Sequence, residues 1–327
     1  MMSFPALHAD VSIVNSSSGA VQVIVEQIPA QEAVAADPAR QLAVLFTNST
    51  NGALESCGCK ANPNGGLDRA ATYIELMRKK YPNCLVFDSG DMLPPYAPPL
   101  FADTVTQVYK RIRYDAVIAG DQDLLHPSFR DKVAGSGIPF LSSNVASRTK
   151  KNTPARARVR YYKKCGLRIA VIALNGADTF DHYPASMVEK LHITPIDMYL
   201  GEFFKRRKNY DFLILVSHGG LESDKRIARD YPGIDIIISG HNPIHMPTPV
   251  HIGKTVIVQA GGGARDVGKL ILAFDAEKNA SIADYDLRPL TKDIAPDNTI
   301  KEMIKKFKET SQNRAKSKQD YNKPGRQ

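Results

Sequence analysis

Phe212-Leu-Ile-Leu-Val-Ser-His-Gly-Gly220 sets five apolar residues in a row before a serine, a histidine and two glycines. An unbroken apolar run of that length suits a strand covered on both faces, because neither face has to meet water. In open α/β sheets, ligands bind where loops leave the carboxyl ends of such strands. His218 is the first strongly coordinating side chain past this run.

Working outward, the same arrangement recurs. Leu42–Thr47, Cys84–Asp88, Asp115–Ala119, Pro139–Ser143, Ile234–Ile238, Val256–Gln259 and Lys269–Phe274 read as further strands. Gly66–Lys80, Phe101–Arg113, Asp197–Asn209 and Glu222–Asp230 read as helices, and Tyr73, Ile74 and Met77 share one helical face. Ala155–Tyr162 and Arg168–Leu174 read as a hairpin. Alternating strands and helices predict an α/β architecture with helices on the outer faces, and the hairpins make the sheets mixed. The spacing predicts one domain over 41–290 after an extension at 1–40, in which Val21–Glu26 forms a strand. Pro296–Thr310 is expected to be a terminal helix, and 311–327 a basic tail too poor in apolar side chains to order.

Composition narrows the function classes. The chain has 327 residues, 43% of them hydrophobic, and no apolar run long enough for a membrane span. Nine Lys or Arg against three acids from Ile300 onward account for +6 of the net charge of +9, so the body is nearly neutral. Nucleic-acid binding is therefore not expected of the folded body. The first nine residues look like the end of a secretory signal without its basic start or apolar core. A periplasmic or otherwise extracytoplasmic setting is the expectation, with the signal itself not visible.

The loops after the strands carry the chemistry. They read Asn48-Ser-Thr-Asn-Gly52, Asp88-Ser-Gly-Asp91, Gly120-Asp-Gln-Asp123, Ser217-His-Gly-Gly220 and Ser239-Gly-His-Asn242. Two carboxylates and two imidazoles meeting at one sheet edge form a first shell for a divalent metal. The first loop continues into Cys57-Gly-Cys59, which reads equally as a redox or metal-binding loop and as a disulfide-pinned one.

In order and spacing these motifs, with Ser143-Asn-Val145, Gly240-His-Asn-Pro243 and Val258-Gln-Ala-Gly261, resemble the calcineurin-like metallophosphoesterases. The likeness is to the N-terminal catalytic domain of the 5'-nucleotidase and UDP-sugar hydrolase branch. It implies a four-layer α/β/β/α sandwich holding two metals that activate water for attack on a phosphoester. Asp91 matches the bridging carboxylate, Asp121 stands where the family has Asn, and His218 and His241 match two histidine ligands. The second site is degenerate, with Ser49 and Asn51 at ligand positions and Pro243 at a third. Gln122 replaces the family's catalytic histidine, and an amide cannot shuttle a proton near neutral pH. His245, Cys57 and Cys59 are the groups that could rebuild a second site or act in redox chemistry.

The resemblance thus implies a divergent phosphoesterase with one divalent ion (Zn, Mn or Fe), weak or altered hydrolase activity and a phosphoester small molecule as substrate. The alternative is a non-catalytic metal-, thiol- or protein-binding module on the same fold, in an extracytoplasmic redox assembly with a protein partner.

Overall fold

A computed structural model describes residues 10–15, 21–26, 37–57, 63–127, 129, 135–148, 158–206 and 209–321. The chain forms two compact units, 1–36 and 37–327. In the smaller one, β1 (Asp10–Asn15) pairs antiparallel with β2 (Val21–Glu26). The expected signal remnant at 1–9 lies outside the described residues.

The larger unit opens with β3 (Gln41–Thr47), α1 (Leu67–Lys80), β4 (Cys84–Asp88), α2 (Pro99–Ile112), β5 (Ala116–Val117) and α3 (Asp121–Leu125). It continues with β6 (Val145–Ser147), β7 (Arg160–Lys164), β8 (Leu167–Asn175), α4 (Ala185–Val188), β9 (Leu191–Ile193), α5 (Ile196–Lys205), β10 (Phe212–His218) and α6 (Leu221–Asp230). It ends with β11 (Ile236–Ile238), β12 (Val250–Ile252), β13 (Thr255–Val258), β14 (Asp266–Phe274), β15 (Ala280–Pro289) and α7 (Asn298–Tyr321).

Two mixed sheets result, of order β15-β14-β3-β4-β5 and β12-β13-β11-β10-β8-β7, beside a small β6-β9 pair. In the second sheet β13, β11, β10 and β8 run parallel between antiparallel edges β12 and β7. In the first, β3, β4 and β5 run parallel, and β14 and then β15 are added on the other side, each antiparallel to its neighbour. The strand alternation of side chains makes the layers. Leu42, Val44 and Phe46 of β3 enter a core shared with Val171, Ile214 and Ile236 of the facing sheet. Ala43 and Leu45 point the other way, onto α1, α2 and α7. On the far side, Leu213, Leu215 and Ile237 pack against Leu200 of α5 and Ile227 of α6. Helices, sheet, sheet and helices are the four layers expected.

Several elements differ from expectation. The third strand shrinks to Ala116–Val117, and the fourth is a single parallel bridge from Phe140 to Val117. β15 escapes a sequence reading because it is a largely exposed edge strand without an alternating apolar face. The tail at 311–327 was expected to be disordered, yet α7 runs on to Tyr321. Once its first turns pack through Ile300 and Ile304, good helix formers propagate it, and neither Gly nor Pro intervenes before Pro324. Among the described residues, no helix is long and apolar enough to cross a membrane.

Candidate metal centre

The carboxyl ends of the two sheets meet. Ser89, just past β4, reaches across with its hydroxyl to the Ile238 carbonyl at the end of β11, 3.2 Å away. Asp91 follows on the same loop, turned by left-handed backbone at Gly90 and at Asp91 itself (φ 58°). Asp88 does not join it. Fully buried, Asp88 accepts hydrogen bonds from Thr47 Oγ1 (2.6 Å), Gly90 N (3.1 Å) and Tyr109 OH (3.2 Å). It shapes the turn, and burial pushes its carboxyl up to about 7.

Asp121 opens α3. Asp123, two residues on, accepts from Met92 N (3.2 Å), Leu93 N (2.9 Å) and Gly120 N (3.0 Å), which ties the Asp91 loop to the Asp121 helix. His218 is the last residue of β10, and His241 follows β11 with φ 70°.

The four side chains converge. Asp91, Asp121, His218 and His241 each offer one donor atom, and these atoms lie within 4.8 Å of one another. His218 Nε2 stands 2.9 Å from Asp121 Oδ1 and 3.4 Å from Asp91 Oδ1, and His241 Nδ1 is 3.2 Å from Asp121 Oδ1. His218 Nδ1 donates to the Ser89 carbonyl at 2.6 Å, which fixes the ring with Nε2 inward. Asp91 Oδ1 is buried without a hydrogen-bond partner.

Electrostatics follow from this packing. Burial pushes the Asp91 carboxyl up, with the His218 charge opposing it. Burial acts the same way on Asp121, but hydrogen bonds from His218 and His241 outweigh it and hold that carboxyl below its usual range. Burial favours neutral His218, yet the Asp91 charge and the Asp121 hydrogen bond prevail and raise it to about 9. A proton on His218 thus sits between two carboxylates. A divalent cation fits the same place, meeting two imidazole nitrogens and two carboxylate oxygens, one of which, Asp91 Oδ1, has no hydrogen-bond partner.

The remaining sequence candidates fall differently. Ser49 and Asn51 lie against the Asp91 loop, with Ser49 N donating to the Gly90 carbonyl (2.8 Å) and Asn51 N to the Asp91 carbonyl (2.9 Å). Both keep left-handed backbone, at φ 44° and 48°, and Ser49 Oγ is buried without a hydrogen-bond partner. Pro243 lies close by, since a Cβ built on Gly262 would meet its ring at 2.8 Å and the Ser49 carbonyl at 3.4 Å. His245 is not in the group of four, and its Nδ1 faces Asp266 at 3.4 Å. Cys57 is exposed in the loop after β3, and Cys59 lies outside the described residues. Gln122 donates from Nε2 to Asp91 Oδ2 at 2.9 Å.

Sequence reasoning missed Tyr183, whose hydroxyl donates to Asp121 Oδ2 at 2.7 Å. It sits in the connection between β8 and α4, where no strand end or helical period marks it. Beside the centre lies a cavity of about 320 Å³, lined by Asp178, His182, Glu222, His241 and Asn242 among others.

Comparison with known proteins agrees with this architecture. The Thermus thermophilus 5'-nucleotidase precursor superposes with TM-score 0.70 at 21% identity, over 83% of this chain and 59% of that one. The Bacillus subtilis calcineurin-like phosphoesterase YfkN superposes with TM-score 0.67 at 18% identity, over 83% of this chain and 97% of that one. The fold is that of the calcineurin-like phosphoesterases. In sequence, human 5'-nucleotidase is 23% identical over 82% of this chain and 52% of its own length. The chain therefore spans about half the length of the curated 5'-nucleotidases it matches. No protein-family model matches it. On this phosphoesterase fold, the four converging residues stand at the paired carboxyl ends of the sheets, where such folds place ligands.

Proposed function

We propose that the chain is a divergent 5'-nucleotidase-like metallophosphoesterase that holds one divalent ion through Asp91, Asp121, His218 and His241. The carrying observation is the convergence of their four donor atoms within 4.8 Å. When bound, such an ion supplies Lewis acidity toward a phosphoryl oxygen and a hydrolytic water. The chain's own residues orient and exclude. His218 is fully buried, and its ring is fixed by the Ser89 carbonyl. His241 is the half-open donor, with its side chain 27% exposed and bordering the cavity, so a phosphoester would approach from its side.

Turnover is weak or altered. Asn51, Ser49 and Pro243 offer no carboxylate, imidazole or thiolate for a second ion, and Gln122 cannot transfer a proton. Losing one ion of a pair and the proton-transfer group removes several kcal/mol of transition-state stabilisation, at about 1.4 kcal/mol per factor of ten in rate. A second reading, a non-catalytic binding module, is favoured by Gln122, whose amide is engaged with Asp91.

Metal analysis of the purified full chain is expected to find about one equivalent of ion, absent from Asp91→Ala. Hydrolysis of an aryl phosphate or diester with added manganese should appear in the wild type and vanish in His218→Ala. Binding without turnover on a broad ester panel selects the second reading, and no metal binding sinks the first together with the metal-binding form of the second.

A further inference from the structure

We propose that Gln122 and Tyr183 are positioning residues that occupy the outer oxygen of each carboxylate, so that Asp91 and Asp121 present one oxygen apiece and the centre takes a single four-coordinate ion of the zinc type. This deepens the one-ion reading above and rests on it.

The geometry is the same at both acids. Asp91 Oδ2 accepts from Gln122 Nε2 at 2.9 Å, which leaves Oδ1 unpartnered and 3.4 Å from His218 Nε2. Asp121 Oδ2 accepts from Tyr183 OH at 2.7 Å, which leaves Oδ1 facing both imidazoles at 2.9 and 3.2 Å. In each case one oxygen points inward and a neutral donor satisfies the other. His218 shows the same division, with Nδ1 on the Ser89 carbonyl and Nε2 inward. The inward set is two nitrogens and two single oxygens, the count and chemistry of a tetrahedral zinc site. Calcium needs six to eight oxygens and magnesium near-ideal octahedral geometry, which two monodentate carboxylates do not supply.

Gln122 also bears on stoichiometry. A second cation that took the outer oxygen of Asp91 would have to displace the Gln122 amide N–H, whose positive end already faces that oxygen. The residue that cannot shuttle a proton thus also occupies an oxygen that a second ion could take.

The test uses the chelator-stripped full chain, loaded with zinc and separately with cobalt. Wild type is expected to bind one zinc per chain and to give the intense visible absorption of four-coordinate cobalt. Tyr183→Phe keeps the ring and removes only the hydroxyl. Gln122→Ala frees Asp91 Oδ2. Each should weaken zinc binding about 10- to 100-fold in chelator competition and shift the cobalt spectrum toward the weaker absorption of higher coordination, with melting temperature followed as a folding control. Two zinc ions per wild-type chain, or variants with wild-type affinity and spectrum, would overturn the inference while leaving metal binding intact. Wild type taking up no ion would overturn it together with the reading beneath it.

Discussion

His218 is the residue on which the centre turns. It has no exposed surface, and it lies within hydrogen-bond or ion-pair reach of Asp121 and Asp91 while its other nitrogen holds Ser89. Glycines make room for this approach. A Cβ on Gly120 would fall 2.2 Å from Asp91 Oδ1 and 2.8 Å from His218 Cε1, and one on Gly90 2.5 Å from His218 Nδ1. Removing the imidazole takes away the Asp91 ion-pair partner and leaves Asp121 with only the part-exposed His241, and breaking a buried pair in this way costs about 3–5 kcal/mol. His241, 27% exposed, leaves behind an oxygen that His218 still satisfies, so its loss is screened by solvent. In urea unfolding with chelator present, His218→Ala is therefore expected to lose several-fold more stability than His241→Ala. Equal losses would show that the carboxylates do not depend on His218 for compensation.

At the scale of the element, β10 and α6 are joined beneath the site by a buried carboxyl. Asp224, in the first turn of α6, accepts a hydrogen bond from Ser217 Oγ, the residue before His218. Burial pushes Asp224 up to about 6, against the Ser217 hydrogen bond. The folded state thus holds this proton more tightly than the unfolded chain does, and the associated stability is present at low pH and falls as pH rises through about 4 to 6. Asp224→Asn removes that titration. The variant should gain on the wild type by the order of 2 kcal/mol between pH 4 and pH 6.5, after which the difference stays level. A constant difference across that range in urea titrations would refute the assignment. The elements that carry the site are also the ones legible in the sequence. β3, β4 and β10 are buried along nearly their whole length, so their apolar runs are unbroken and the residue past each run is easy to find. That reading brings the loops of Asp91, Asp121, His218 and His241 to one edge, but the choice of Asp91 over Asp88 and of Asp121 over Asp123 comes from the resemblance to the calcineurin-like phosphoesterases. Tyr183 and the ring-fixing Ser89 carbonyl come from neither, because a hydroxyl in a long connection and a backbone oxygen have no periodic signature.

For the larger unit as a whole, the fold is closed at one face by α7. Its first half is amphipathic in effect: Ile300 and Ile304 are buried against α1 and α2, and Phe307 meets the Phe101 ring edge-on at 5.5 Å. From Gln312 to Lys316 every residue is exposed. The helix therefore serves as a packed layer up to about Thr310, and over 312–316 it carries exposed residues including Arg314 and Lys316. Ending the chain at Thr310 drops Arg314, Lys316, Lys318, Lys323, Arg326 and Asp320, so the formal net charge falls from +9 to +5 with no apolar burial lost among the described side chains. Such a truncation should melt within a few degrees of the full chain yet leave a cation exchanger at clearly lower salt. Phe307→Ala in the full-length chain should do the reverse, because it opens a partly buried ring contact: retention unchanged, and a loss of about 1–3 kcal/mol, toward the low end for an incompletely buried aromatic. A truncation that melts far below the full chain would mean that the basic half of α7 contributes to the core-facing layer after all.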